Sequence, residues 1–244
     1  MGCFDSSGTH AVIDGFAGEE AATSAREEVL RAARQGNLST PGMLGGGERG
    51  VASQSFEDTM VRNDSLGWFD CSTNPSSGAV ACSFDGSVQS SEWPALGALL
   101  AKIETLVAEL GQKNKPNEFS GCSTRSRAMV TLYTGQDGDG SRYTRHYDNA
   151  NGNGRRVTAV YYVNTGWRRA YGGQLRLYNS SVPGEAVPTC FIDVEPLADR
   201  LVLFYSDMRT LHEVLPAHFD RYALTVWFFD KTEKALAKAR ATKS

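Results

Sequence analysis

The segment that decides the fold spans residues 145–163 and reads RHYDNANGNGRRVTAVYYV. It places His146 and Asp148 two residues apart, then passes through a turn-rich stretch and ends in an apolar run. Because side chains of an extended strand alternate with a period of two, this imidazole and this carboxylate lie on the same side of the chain. One short strand therefore supplies two candidate metal ligands, and a second strand follows the turn.

Two residues farther along the chain complete the pattern. His212 lies far enough from His146 for the chain to cross a barrel and return a third ligand. Two imidazoles and one carboxylate form the facial triad that leaves coordination positions open on iron. Arg221 then precedes an apolar run, and a guanidinium at the mouth of such a strand can bind a carboxylate through two parallel hydrogen bonds. The spacing predicts one metal site beside one 2-oxo acid site.

A zinc hydrolase is the alternative interpretation of the same three ligands, since zinc also binds two His and one Asp. It leaves Arg221 without a role, and the sequence lacks the His-Glu-x-x-His motif of many zinc proteases.

Length and composition limit the function classes. The chain has 244 residues, which is the size of one large domain. Its 41% hydrophobic and 22% charged residues are typical of a globular protein and exclude disorder throughout. The net charge of −3 gives no basis for a nucleic-acid surface, so no nucleic-acid partner is expected. We expect a single domain with N-terminal helical and loop support over 1–127, a core over 128–230 and a C-terminal helix over 231–244.

The cysteine count and the hydropathy indicate a compartment. Five Cys are spread along the chain without a Cys-x-x-Cys pair, which does not predict a disulfide framework and favours a reducing compartment. The sequence has no secretory apolar region and no apolar run of about 18 residues. We expect a cytoplasmic protein, also able to reside in the nucleus, with no transmembrane segment.

The hydrophobic pattern predicts a mainly β protein of the α+β class. Helices are expected over 17–34 and 93–110, a short strand over 10–16 and another strand over 58–70. The stretches 37–54 and 74–91 are rich in Gly and Ser and are predicted to be loops. Eight short apolar or alternating runs predict a double-sheet jelly roll, that is, a cupin-like double-stranded β-helix; they cover 128–133, 143–146, 157–163, 174–178, 190–194, 200–205, 212–215 and 222–229.

The motif over 145–158 resembles the iron-binding strand and turn of the hypoxia-inducible-factor prolyl hydroxylases. Segments similar to that family follow in the same order over 161–164, 172–176, 194–196, 199–201, 206–207, 212–214 and 221–230. The resemblance covers about residues 128–240 well and the N-terminal half weakly. The loop over 134–142 is longer than that of the family, and the loops over 37–54 and 74–91 are not recognisable, which leaves the substrate open.

The resemblance implies a role for each residue of the site. The catalytic set is His146, Asp148 and His212 as iron ligands, with Arg221 as the partner of the distal carboxylate of 2-oxoglutarate. Other residues that would line the 2-oxoglutarate pocket are Tyr162, Tyr133, Thr225 and Leu175. Residues that match positions near the substrate proline are Arg155, Tyr143 and Trp227. Without the resemblance, Arg155 would be interpreted as a solvated loop charge. The segment over 58–68, with Arg62 and Asp64, is similar to the mobile loop that covers the substrate.

The implied activity is that of an iron(II)- and 2-oxoglutarate-dependent prolyl 4-hydroxylase, which consumes O2 and releases succinate and CO2. Ascorbate is the expected reductant, and an oxygen-sensing role is expected. The expected partner of this monomeric enzyme is a protein that presents a proline, either a hypoxia-inducible-factor-α-like protein or a Skp-type ubiquitin-ligase adaptor as in protists. Two alternatives remain. One is a related 2-oxoglutarate oxygenase that acts on another residue or on a small molecule, and the other is a jelly-roll binding module in which a metal only stabilises the fold.

Overall fold

The structure, a computed structural model, describes residues 8–39, 62–85, 93–113, 119–135, 138–179 and 190–241. The strands in these ranges are β1 (His10–Asp14), β2 (Ser65–Thr73), β3 (Val80–Phe84), β4 (Cys122–Arg125), β5 (Ala128–Tyr133), β6 (Ser141–His146), β7 (Arg155–Tyr162), β8 (Leu175–Asn179), β9 (Phe191–Val194), β10 (Arg200–Tyr205), β11 (Thr210–Ala217) and β12 (Arg221–Asp230). The helices are α1 (Glu19–Arg34), α2 (Pro94–Gln112) and α3 (Lys231–Ala241), with one 3-10 turn over Arg169–Tyr171.

The strands form two antiparallel sheets. The larger sheet has the order β1-β10-β7-β12-β5-β2-β3, with β4 also paired to β12, and the smaller sheet has the order β6-β11-β8-β9. The eight predicted core strands are β5 to β12, and they divide equally between the two sheets. The prediction of a double-stranded β-helix is therefore confirmed, with strand ends shifted by at most two residues.

Two helices cover the outer face of the larger sheet. Buried residues of α1 and α2, among them Val29, Leu100 and Ile103, join one core cluster with Tyr161 and Leu224 of the sheet. Burial of each such aliphatic side chain stabilises the fold by about 1.5–3 kcal/mol. The opposite face of β5, β7 and β12 therefore points into the space between the two sheets.

Glu28 of α1 joins the two helices. Its buried carboxylate accepts hydrogen bonds from the backbone N–H groups of Ala95 and Leu96, at 3.1 and 2.8 Å. The first N–H groups of a helix have no partner within the helix, so Glu28 satisfies the start of α2. The predicted helix over 17–34 begins at Glu19 instead, because Gly18 has a non-helical backbone with a φ of 95°. The N–H groups of Ala17 and Gly18 donate to the Asp199 carboxylate.

The prediction for residues 74–91 was wrong in part, since Val80–Phe84 forms β3 and pairs with β2. The cysteine pattern did not predict a disulfide framework, yet Cys71 and Cys82 are opposite each other across this hairpin and are bonded. Sequence spacing does not show such a cross-strand partner. Most of the predicted loop over 37–54, and residues 58–61 of the predicted strand over 58–70, lie outside the described residues.

Candidate metal centre

Three potential ligands meet between the two sheets. His146 ends β6 and is the cross-strand partner of His212 on β11, and Asp148 follows β6. The Nε2 atom of His146 is 3.7 Å from Asp148 Oδ1, and the Nε2 atom of His212 is 3.7 Å from Asp148 Oδ2. One ligand atom from each residue falls within 4.8 Å of the others. Two imidazoles and one carboxylate at these distances could hold a single metal ion.

Backbone carbonyls orient both imidazoles. His146 Nδ1 is 2.8 Å from the carbonyl oxygen of Thr144, and His212 Nδ1 is 3.1 Å from that of Thr210. A carbonyl oxygen only accepts hydrogen bonds, so each Nδ1 carries the proton and each Nε2 presents its lone pair to the centre. Burial, followed by the neighbouring His212, lowers the pKa of His146 to about 3. His146 is therefore neutral, as a metal ligand must be.

Asp148 is the anionic member of the group. Burial alone would raise its pKa, but electrostatic interactions with His212, His146 and Arg155, together with the hydrogen bond from Thr158, lower the pKa below its ordinary value. The carboxylate is therefore ionised at neutral pH and is available to a cation.

A buried cation lies in the same cavity as the three ligands. Arg221 is 1% exposed, its Nε–H donates to the carbonyl of Gly173 at 2.7 Å, and its Nη2 lies 3.3 Å from the Tyr162 hydroxyl. The guanidinium also lies over the rings of Tyr133 and Tyr162, at 4.9 and 5.0 Å from their centroids. Over the described ranges no carboxylate forms an ion pair with it. A buried charge without a partner is unfavourable, so this end of the cavity favours an anionic ligand.

The cavity wall follows the period of two along three strands. Inward-facing positions alternate along β5, β7 and β12 and bring five of the predicted residues to one cavity, and β6, β8, β11 and the turn after β6 add five more. These residues are His146, Asp148, His212, Arg221, Tyr162, Tyr133, Thr225, Leu175, Tyr143 and Trp227. Seven further residues line the cavity and were not predicted from the sequence: Met129, Thr131, Thr158, Val160, Phe204, Val214 and Ala223. The alternation along β5, β7 and β12 was the signal that could have found most of them.

The remaining three predicted residues are not among the residues that line this cavity. Arg155 stacks 4.1 Å over the Trp227 ring, and its Nη1 is 3.4 Å from the Asp148 carbonyl. The alternative interpretation of Arg155 as a solvated loop charge was therefore wrong, because Arg155 begins β7 and packs on an aromatic ring.

The other two residues of this group form an ion pair. Arg62 donates to both oxygens of Asp64 at 2.7 and 2.6 Å and lies 4.6 Å over the Tyr143 ring. Tyr143 in turn stacks on His146 with ring centroids 3.8 Å apart. These contacts connect the segment before β2 to a metal ligand.

A family model described as the 2OG-Fe(II) oxygenase superfamily matches residues 128–229. Mouse prolyl hydroxylase EGLN3 is 34% identical over 229 residues, which make up 93% of this chain and 81% of that protein. The chain belongs to the 2OG-Fe(II) oxygenase superfamily, in its Egl nine family. Human Egl nine homolog 1 is 35% identical over 230 residues, 94% of this chain and 46% of that protein. The chain thus spans about half the length of the Egl nine homolog 1 proteins, 46–57%.

A solved structure resembles this 2OG-Fe(II) oxygenase over nearly its whole length. The prolyl hydroxylase of Trichoplax adhaerens, in complex with a peptide of the hypoxia inducible factor oxygen degradation domain, has a TM-score of 0.71 and 28% identity. The match covers 95% of this chain and 88% of that one. The family implies iron(II) and 2-oxoglutarate, and the three-ligand cluster and the buried Arg221 fit these two groups. Among the described residues, no helix combines the length and apolar character needed to cross a membrane.

Proposed function

We propose that this chain is an iron(II)- and 2-oxoglutarate-dependent dioxygenase that hydroxylates a proline of a protein substrate at the 4-position. The observation that carries the proposal is Arg221, a 1% exposed cation that faces the same cavity as the three metal-binding side chains. A binding module with a structural metal would have no use for a buried guanidinium without an anionic partner. A zinc hydrolase would leave it equally unexplained.

In this proposal His146, Asp148 and His212 hold the iron. Arg221 and the Tyr162 hydroxyl bind the distal carboxylate of 2-oxoglutarate, and Tyr133, Thr225 and Leu175 shape its pocket. Burial raises the pKa of Tyr162 despite the nearby Arg221, so its hydroxyl keeps the proton that it would donate to a carboxylate. When bound, iron(II), 2-oxoglutarate and O2 supply the oxidation that adds a hydroxyl group to the substrate and releases succinate and CO2. The protein binds these groups, orients them toward the substrate and excludes water from the cavity.

The proline is proposed to enter where Tyr143 and Trp227 border the metal ligands, with Arg155 holding Trp227 in place. Arg62 and Asp64 would position the covering segment over the bound peptide. The Trichoplax structure, which contains a hypoxia-inducible-factor peptide, supports a substrate of this kind. We propose a hypoxia-inducible-factor-α-like protein or a Skp-type adaptor as the substrate, with an oxygen-sensing role.

The setting of the reaction follows from the same proposal. The enzyme would act as a monomer in the cytoplasm, and also in the nucleus, with ascorbate as reductant. Residues 1–244 would form one catalytic domain. In it, the N-terminal elements over 1–127 would support the double-stranded β-helix over 128–230, and a C-terminal helix over 231–244 would follow.

The test is incubation of the protein with candidate proline peptides, iron(II), 2-oxoglutarate and ascorbate, followed by mass spectrometry and succinate assay. The proposal expects one added oxygen on the proline and succinate release that depends on the peptide. A peptide with Ala in place of the proline and the His212→Ala variant are the controls. Succinate released with hydroxylation elsewhere would favour a related oxygenase, and metal binding without any succinate would favour a binding module.

A further inference from the structure

Two buried hydroxyl groups lie behind the candidate metal carboxylate. Thr158 of β7 is 1% exposed, and its Oγ1 lies 2.6 Å from Asp148 Oδ2. Ser206 is 0% exposed, and its Oγ lies 2.8 Å from Thr158 Oγ1. Neither residue was among the site residues predicted from the sequence.

The direction of these hydrogen bonds follows from the chemistry of the groups. An ionised carboxylate only accepts, so the Thr158 hydroxyl donates its one proton to Asp148 Oδ2. Thr158 Oγ1 then has no proton left for Ser206, and the Ser206 hydroxyl must donate to Thr158. The chain of donors therefore runs from Ser206 through Thr158 to the carboxylate, and each bond polarises the next.

The arrangement makes the two oxygens of Asp148 unequal. Each oxygen lies 3.7 Å from the Nε2 atom of one imidazole, Oδ1 from that of His146 and Oδ2 from that of His212. Oδ2 also accepts a short, charge-assisted hydrogen bond, whereas Oδ1 has no hydrogen bond within the described residues. The Asp148 backbone is also held, since its carbonyl accepts from Asn153 Nδ2 at 2.9 Å. The carboxylate cannot rotate without breaking the Thr158 bond inside the protein.

Backbone hydrogen bonds connect Ser206 to the turn after β6. Its backbone N–H donates to the Arg156 carbonyl at 3.0 Å, and its own carbonyl accepts from the N–H of Asn149 at 2.8 Å. Asn149 is the neighbour of Asp148 in the sequence, so the end of β10 fixes both the side chain and the backbone of this ligand.

We propose that Thr158 and Ser206 are positioning residues that make Asp148 bind the metal through Oδ1 alone. A carboxylate that uses both oxygens would occupy a coordination position that the 2-oxo acid or O2 needs. The inference rests on the proposed iron site, but it concerns the affinity and geometry of metal binding, which can be measured without turnover.

The experiment compares Mn(II) binding to the metal-free parent, Thr158→Val, Thr158→Ser and Ser206→Ala by titration with electron paramagnetic resonance. Removing a group that holds a metal ligand typically reduces metal affinity about 10–100-fold, and we expect Thr158→Val to fall in this range. Thr158→Ser keeps the hydroxyl and should bind like the parent, and Ser206→Ala should show a smaller loss. The absorption bands of bound Co(II) should shift in Thr158→Val and stay unchanged in Thr158→Ser.

Tyr161→Phe is the matched control. It removes another hydroxyl–carboxylate hydrogen bond of β7, from the Tyr161 hydroxyl to Asp199 at 2.9 Å, on the face that packs against the helices. It should bind Mn(II) like the parent. A loss in Tyr161→Phe equal to that in Thr158→Val would overturn the proposal, because it would trace the effect to general destabilisation.

Parent-like affinity and Co(II) bands in folded Thr158→Val overturn the inference. If Thr158→Val does not fold, parent-like binding by Ser206→Ala overturns it instead, and so does a loss of binding in Thr158→Ser. Failure of the proposed function is a separate result: the parent would bind Mn(II) with the expected ranking of variants but would release no succinate with any peptide and iron(II).

Discussion

His146 and His212 are direct cross-strand partners of β6 and β11, and their ring centroids lie 4.2 Å apart. The distance between two of the three candidate ligands is therefore set by strand register. A slip of one residue would turn one imidazole to the other face of the smaller sheet. The metal site and the pairing of these strands are thus specified by the same contacts.

Removal of one ligand should abolish iron binding. Because three protein ligands provide all the affinity, His212→Ala should lose iron(II) binding and nearly all succinate release, and His146→Ala and Asp148→Ala should behave alike. Isothermal titration with Mn(II) and succinate assay with iron(II) measure the two effects. Ordinary iron-dependent decarboxylation in His212→Ala would contradict the assignment.

The central strands and the ligands could be predicted from the sequence because their signals are local. The strands β5 to β12 are short apolar or alternating runs separated by turns, and the His-x-Asp spacing places two ligands on one face within three residues. The position of Arg221 was also accessible, since it precedes the last apolar run and therefore begins a strand, β12.

The features that the sequence did not predict depend on partners distant in the chain. Strand β3 exists because it pairs with β2, and Cys71 meets Cys82 only in that register. Thr158 and Ser206 are separated by 48 positions and become neighbours only when β7 pairs with β10. A threonine in an apolar strand does not by itself indicate that its hydroxyl faces a carboxylate.

The Arg221→Ala variant, which loses the buried charge, should have a KM for 2-oxoglutarate that rises far more than its KM for peptide. A buried carboxylate that loses its charged partner should be destabilised by about 3–5 kcal/mol. Arg221→Lys should restore binding only in part, because Lys cannot form two parallel hydrogen bonds. Tyr162→Phe should have a smaller effect in the same direction.

The measurement for these variants is the KM for 2-oxoglutarate at saturating peptide, compared with the KM for peptide at saturating 2-oxoglutarate. If Arg221→Ala leaves the first value unchanged, Arg221 does not contact the co-substrate. An increase of both values by the same factor would indicate a general loss of structure, which circular dichroism would detect.

The fold should lose stability at alkaline pH because of buried tyrosines. Burial raises the pKa of Tyr133, Tyr161 and Tyr162, and the Asp199 carboxylate raises that of Tyr161 further. Unfolded tyrosine ionises at about pH 10, so the stability that these protonated residues contribute is full below that pH. It is then lost as the pH rises, because only the unfolded chain releases the protons.

Denaturant unfolding between neutral pH and about pH 11 measures this effect, since the range brackets the ionisation of unfolded tyrosine. Tyr161→Phe should show a smaller fall in the free energy of unfolding above about pH 10. Tyr147→Phe, which changes a half-buried tyrosine, is the matched control and should follow the parent. A free energy of unfolding that stays constant through this range would contradict the prediction.

The ion pair before β2 should govern use of the peptide. Asp64 is 0% exposed, and Arg62 both pairs with it and stacks over Tyr143, which contacts His146. Loss of Arg62 leaves a buried carboxylate unpaired and removes the cation that stacks on Tyr143, so the proposed contact of this segment with the peptide should weaken. Arg62→Ala should therefore raise the KM for peptide several-fold and leave the KM for 2-oxoglutarate nearly unchanged.

Exchange of the two charges in the double variant Arg62→Asp, Asp64→Arg should impair hydroxylation in the same way, because it puts an acid beside the Tyr143 ring. Arg176→Ala is the matched control, since it removes an arginine that likewise donates to both oxygens of an aspartate, Asp193, and stacks over an aromatic ring, that of Phe191, but does not line the cavity. The idea that this segment selects the substrate fails if Arg62→Ala hydroxylates every candidate peptide with the efficiency and preference of the parent.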